Sequence, residues 1–377
     1  MSTAVSEQPH TTEDRLRAEL AQLVGVSSQT GDRDGAERMV ALCESFMPPG
    51  MVHRRVPCAT DGCSADLISK ISGTGRRRIV LLGHLDTVVP STRHQPLRED
   101  GDRLYGSGTI DMKAGVAIAL AVTRALAELP DTFAELAVLL VCDEEVRSAP
   151  FAHLGEFGHY DACLCFEGGE LDDDGSDGVV VTRKGAGTLR VYAHGLAAHS
   201  GAAPWMGRNA LLALAQAAVA VEAHNDPHGA AQLTVVPTVM RAGDAFNVVP
   251  DHGELTVDMR AGDISVFESV LASIPPEVNG VTLEGVLERA WPAMDSSMVA
   301  APVLKAAEAM LGRPVRPRAR GGCSDASHFA AAVPLTIDGL GPLGAGAHAT
   351  DEHVVASSLG SRTELALAVA RAALAHG

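Results

Sequence analysis

Residues 79–89, Ile-Val-Leu-Leu-Gly-His-Leu-Asp-Thr-Val-Val, open on a continuous apolar run and pass at once into a histidine and an aspartate. A short run without alternation is the pattern of a strand buried on both faces. Two further runs of this kind stand at 136–141 and 162–166. Between the first two lies a segment rich in Ala and Leu, roughly 113–129, which reads as a helix ended by Pro130. Strands alternating with helices indicate an α/β sheet.

Upstream, the first ten residues read as a disordered arm. A helix is expected from near Thr12, where Thr11, Thr12 and Glu13 offer capping chemistry ahead of Leu16, Leu20 and Leu23. A second is expected over 35–47, stopped by Pro48-Pro49-Gly50. Downstream the texture changes at Val179. Segments 179–182, 189–193, 233–240, 246–249 and 254–260 are short, some alternate, and Gly, Asp and Pro separate them, with an amphipathic helix at 209–224 among them. That pattern suggests an α+β insert with an antiparallel sheet. Helical patterns return at 303–311 and 359–375, with a strand at 334–337 between them. The chain reads as an α/β domain made of 1–183 and 293–377, interrupted by a smaller domain at 184–292.

A chain of 377 residues is ample for two domains, and 46% hydrophobic with 20% charged residues is ordinary for a globular protein. The net charge of −17 repels phosphate backbones and anionic lipid, so neither nucleic acid nor membrane is expected as a partner. The seven cysteines are odd in number and lack CxxC spacing, which argues against a disulfide framework and against a cysteine zinc site. Reduced thiols, no basic-then-apolar leader and no bilayer-length apolar run together suggest a cytoplasmic protein.

The acids and histidines fall in a telling pattern. His84 and Asp86 follow the first buried run; Asp143, Glu144 and Glu145 follow the second; Glu167 follows the third. Asp111 sits in the Gly-rich stretch GSGTIDMKAG, 106–115, just before the helix. Functional residues of α/β sheets gather beyond the carboxyl ends of strands, so all of these are expected to face one crevice. Asp86, Asp111, Glu144, Glu145 and Glu167 would repel one another there and raise each other's pKa values. Two divalent cations would neutralise most of that charge, and a metal pair sharing one carboxylate suits hydrolysis.

The motifs GHLDTV (83–88), GSGTIDMKAG (106–115), DEE (143–145), FEGG (166–169) and GAHATDEHV (346–354) resemble those of the M20 metallopeptidases. So, in the same order, do RKG (183–185), HGLAAHSG (194–201), NVVP (247–250), DMR (258–260) and GGCSDA (321–326), and within the family the likeness is to the glutamate carboxypeptidase branch. The resemblance implies a phosphorylase/hydrolase-like catalytic domain with a central mixed sheet, interrupted by a ferredoxin-like lid and dimerisation domain. It implies two Zn²⁺ per subunit, with Co²⁺ or Mn²⁺ as substitutes since no thiolate is among the ligands. Asp111 would bridge the metals; His84 and Glu167 would complete one site, Glu145 and His348 the other. His353 is an alternative to His348, and the spacing to Glu352 favours His348.

Further roles follow from the same resemblance. Asp86 would accept a hydrogen bond from the His84 ring. Glu144 would be the general base, and the opposite facing of neighbours in extended chain would suit Glu144 toward water and Glu145 toward metal. A cis peptide is implied at Asp111–Met112. His199 would polarise the scissile carbonyl in a partner subunit's site, making the working unit a homodimer joined through the insert. Arg260, Asn247 and the loop Gly321, Gly322, Cys323 and Ser324 would hold the substrate carboxylate and oxyanion. Cys323 stands where glutamate-specific members often carry Gly, so the substrate's acyl group and amino acid stay open.

Singly, each residue has a plainer reading: Asp111 as a helix cap, Glu144 and Glu145 as a solvated strand end, His199 as a loop histidine, Arg260 as a surface arginine. Their order outweighs this. GLGPLG (339–344) fits a dinucleotide fingerprint but holds Pro342 and opens no βαβ unit, so it reads as a loop. DDDGSDG (172–178) lacks the spaced ligands of a calcium loop. The expected activity is cleavage of a peptidyl or N-acyl amino acid beside a free carboxylate. An acetylornithine- or succinyl-diaminopimelate-type deacylase is the alternative, and a non-catalytic amino acid- or peptide-binding relative is the reading outside catalysis.

Overall fold

Three buried runs become the centre of a six-stranded sheet in the computed structural model, which describes residues 12–147 and 150–376. The disordered arm expected for the first ten residues lies outside the described residues. The strands run in the order Val52–Val56, Asp66–Ser72, Glu135–Val141, Arg78–His84, Ala162–Cys165, Leu335–Ile337. The last four are mutually parallel and the first two pair antiparallel, so the sheet is mixed. Ile79, Leu81, Leu136, Val138 and Leu164 are fully buried, as continuous apolar strands covered on both faces must be. The protein is of the α/β class.

Helices Thr12–Gly25, Arg33–Phe46, Ala114–Ala127, Ser297–Leu311 and Ser358–Ala375 accompany this sheet. Arg33–Phe46 starts where the Asp32 side chain accepts the Gly35 N–H at 3.0 Å. It stops at Met47, which turns extended ahead of Pro48. Gly115 matters for the site: a Cβ there would lie 1.9 Å from the Phe166 carbonyl oxygen. Glycine thus lets the Ala114–Ala127 helix press against the exit of the Ala162–Cys165 strand.

The chain forms two compact units, one built from the chain through Thr182 with Asp295–Ala319 and the residues from Ser324 onward, the other from Arg183–Met294 with Arg320–Cys323. The second unit runs strand–helix–strand–strand–helix–strand: Gly185–His194, Ala210–Glu222, Thr234–Ala242, His252–Ala261, Phe267–Ala272, Val281–Trp291. This is the ferredoxin-like succession, in an antiparallel sheet with Thr234–Ala242 at one edge. Leu189, Val191, Leu214, Val257, Met259 and Phe267 form its own core.

Two expected strands are corrected. The segment around 179–182 is a strand, Asp177–Arg183, but it pairs in a separate small sheet with Val315–Arg320 and not with the insert's strands. The segment 246–249 is a turn with a single bridge from Val248 to His199. Among the described residues no helix is long and apolar enough to cross a membrane.

Candidate metal centre

His84 is the last residue of its strand and is buried. Its backbone N–H points to Met112 Sδ at 3.2 Å, its ring Nδ1 lies 3.0 Å from the Asp86 carbonyl oxygen, and its Nε2 lies 2.8 Å from Asp111 Oδ1. Asp111 sits in the irregular turn Thr109–Lys113, where the peptide Asp111–Met112 is cis as the resemblance implied. The turn is held from outside: the backbone N–H groups of Gly108, Ile110 and Asp111 donate to the Glu352 carboxylate at 2.8, 2.9 and 3.1 Å. Glu352 was legible only as a landmark beside His348; three amides converging on one buried acid make it the support of the Asp111 loop.

Asp111 faces two ways. Toward Oδ1 stand His84 and Glu167, with Glu167 Oε1 3.8 Å from His84 Nε2. Toward Oδ2 stand His348, with Nε2 at 3.1 Å, and Glu145, whose Oε2 is 3.3 Å from His348 Nε2. In each trio the potential ligand atoms all lie within 4.8 Å of one another. His348 adopts a left-handed φ of 66°, shortly after Gly346 with φ 79°. His353 belongs to neither trio: its ring lies 5.0 Å from that of Tyr105, and its Nδ1 is 2.9 Å from the Asp351 carbonyl oxygen.

The donor set fits a pair of divalent cations. Glu145 Oε1 is buried without a hydrogen-bond partner among the described residues, a costly orphan that a cation would satisfy. Burial pushes the Glu145 carboxyl up to about 7. The hydrogen bond that His348 donates to Asp111 raises its imidazole to about 9, against its partial burial. Burial opposes ionisation of Asp111, yet the bonds from His348 and His84 outweigh it and hold its carboxyl below the usual range. Imidazole and carboxylate donors without thiolate suit Zn²⁺, Co²⁺ or Mn²⁺.

Glu144 and Glu145 do not lie in extended chain. Residues Glu144–Val146 form a single tight helical turn, so strand alternation is not what separates the two side chains. The turn is fixed by Asp86, whose Oδ1 accepts the Glu144 N–H and whose Oδ2 accepts the Glu145 N–H, both at 3.2 Å. Thr30 Oγ1 donates to the same carboxylate at 2.9 Å. The His84 ring faces Asp86, with Nδ1 3.0 Å from its carbonyl oxygen and 3.5 Å from its carboxylate Oδ1. Burial holds the Glu144 carboxyl well above the ordinary range, which makes its carboxylate a strong base.

In the second unit, His199 is exposed, and its Nδ1 accepts the N–H groups of Gly201 and Ala202, each at 3.1 Å. The ring proton therefore sits on Nε2, leaving a donor facing outward. Asn247 is exposed beside it, and its carbonyl accepts the Ser200 N–H at 3.0 Å. Arg260 pairs with both Asp258 oxygens at 3.0 and 3.1 Å and approaches Cys323 Sγ at 3.8 Å. The Gly322 carbonyl accepts from Arg183 at 2.7 Å, and Gly321 is exposed next to it. The Ser324 side chain is buried in the first unit and donates to Asp338 Oδ2 at 2.6 Å.

An α/β sheet that gathers carboxylates and imidazoles around one aspartate at its strand ends defines a metal-dependent hydrolase. The chain belongs to peptidase family M20/M25/M40, whose model matches residues 80–372. It is similar to carboxypeptidase G2 of Pseudomonas sp. (strain RS-16), 27% identical, over 92% of this chain and 86% of the relative. It is also similar to succinyl-diaminopimelate desuccinylase of Delftia acidovorans, 28% identical, over 90% and 92% of the two chains. A tripeptidase from Staphylococcus aureus shares the fold, with a TM-score of 0.79 at 20% identity over 97% of this chain and 99% of that one.

Proposed function

We propose that the protein is a two-metal exopeptidase that cleaves an amide or peptide bond beside a free carboxylate, in the manner of a glutamate carboxypeptidase. The observation that carries this reading is Asp111, which presents one oxygen to His84 and Glu167 and the other to Glu145 and His348. When bound, two cations, Zn²⁺ by the donor set, would polarise the scissile carbonyl and acidify the attacking water. Glu144 takes the proton from that water and returns it to the leaving amine, a task its raised basicity suits. His199, with its proton fixed on Nε2, donates to the developing oxyanion. Arg260 binds the substrate carboxylate as a planar fork, sharing it with Asp258, with Asn247, Gly321, Gly322 and Cys323 around it.

The working unit in this reading is a homodimer through the inserted unit, His199 serving the second copy. Supporting it, the edge strand Thr234–Ala242 exposes Val236, Val239 and Met240, and the helix Ala210–Glu222 exposes Leu211, Leu212 and Val219. Seven free cysteines suit a reducing, cytoplasmic setting. The second reading, an N-acyl amino acid deacylase, is favoured by the like degree of similarity to the desuccinylase.

The test is a panel of peptidyl and N-acyl amino acids, varied first on the carboxyl side, run with and without chelator on wild type and Glu144→Ala. Chelator-sensitive turnover that Glu144→Ala abolishes while keeping its metal is the expected result. Metal loss in Glu144→Ala would refute the base assignment. Preference for acylated diamino acids over C-terminal glutamate would decide for the deacylase.

A further inference from the structure

The Asp143–Glu145 turn and the helix Asp325–Ala330 are far apart in sequence, yet a single cation joins them. Arg147 is buried, its side chain 1% exposed, with Asp143 at 1% and Asp325 at 4%. Its Nε donates to Asp143 Oδ1 at 3.0 Å and its Nη2 to the same oxygen. Its Nη1 donates to Asp325 Oδ1, and Nη2 reaches Asp325 Oδ2 at 3.3 Å. The guanidinium carbon lies 4.7 Å from the centre of the Phe151 ring. Asp143 is also pinned from its other side, where Oδ2 accepts the Thr60 N–H at 2.9 Å.

Each carboxylate stands next to functional chain. Asp143 immediately precedes Glu144 and Glu145; Asp325 immediately follows Ser324, where the loop 321–324 enters the helix Asp325–Ala330. Burying three charged groups is costly, and one cation between two carboxylates leaves the cluster net negative. An apolar trio would be cheaper for stability alone, so the arrangement is better explained by what it positions. Arginine suits it because its planar fork holds two acceptors in fixed directions, which lysine does not do.

We propose that Arg147 is a positioning residue that sets the Glu144–Glu145 turn in register with the start of the helix Asp325–Ala330 through Asp143 and Asp325. The inference rests on the hydrolase reading above. It makes placement of the base depend on one buried group outside both candidate ligand trios.

The experiment compares Arg147→Lys, Asp325→Asn and their double variant with wild type, on the best substrate of the panel, per folded and metal-loaded molecule. Lysine keeps the charge but cannot bridge; asparagine keeps shape and an acceptor, so at least one variant is expected to fold. Each single change is expected to lower kcat by roughly 10- to 100-fold, the cost of a misplaced catalytic group, with KM and metal content unchanged. The double variant is expected to be little worse than either, since both break one bridge. A merely structural role would lower the folded fraction and leave kcat per folded molecule untouched. Singles within about twofold of wild type, fully additive losses, or loss of metal would overturn the inference while leaving the hydrolase reading standing. A wild type without chelator-sensitive turnover would overturn the hydrolase reading itself.

Discussion

His348 and His353 share one short motif, and only His348 reaches Asp111. The difference is set by backbone: His348 sits at φ 66° in a turn, while His353 begins the strand His353–Val355 and pairs with Tyr105. Replacing His348 by alanine is expected to cost one of the two metal equivalents and to lower turnover by more than about 100-fold, beyond the usual effect of losing a partner outside the ligand set. His353→Ala is expected to leave both as in wild type, checked by metal analysis and steady-state rates. The candidate ligands stood out because acids and histidines fall in five short motifs, three of them at the ends of buried strands. The supports were not. Glu352, Thr30 and Arg147 act through contacts across the chain, and nothing local in the sequence marks a glutamate that collects three backbone amides.

At the scale of elements, the buried parallel strands were readable and the edges were not. Val52–Val56 is largely exposed, so no apolar run announces it. Val281–Trp291 did carry a usable signal, with Val281, Leu283 and Trp291 buried in alternation, but Glu284, Glu288 and Arg289 between them gave it the look of a polar segment. The run 246–249 was apolar yet too short and too close to Pro250 to pair, and Phe246 ends up wholly exposed.

One element carries a pH signature. Asp66 opens the strand Asp66–Ser72, accepts the Cys142 N–H at 2.8 Å and faces His153 Nε2 at 2.7 Å. Burial raises its carboxyl from 3.8 to about 6, with the His153 bond opposing. The native state therefore binds this proton more tightly than the unfolded chain. Its contribution is fully present below the unfolded value and is lost as pH rises through about 6. Relative to Asp66→Asn, wild type is expected to lose about 2 kcal/mol of stability between about pH 4 and about pH 7, measured by urea unfolding at each pH. A stability difference that stays flat or rises over that range would contradict the assignment.

For the whole molecule, the candidate metal ligands all belong to one of the two compact units. The mixed sheet supplies a rigid edge from which His84, the Glu144–Val146 turn and Glu167 project. The ferredoxin-like unit has a separate core and carries His199 and Arg260. The change of texture past Val179 led to an expected insert at 184–292; the second compact unit is Arg183–Met294 with Arg320–Cys323, a return that no local pattern marks.

The central claim is that Asp111 joins two cation sites in one chain. Calorimetric titration of chelator-stripped protein with Zn²⁺ tests it most directly, on wild type and on Asp111→Asn. Two equivalents per wild-type chain, and a folded Asp111→Asn that binds neither tightly, is the predicted result. A wild-type chain that takes up one equivalent or none, or an Asp111→Asn variant that still binds two, would contradict it.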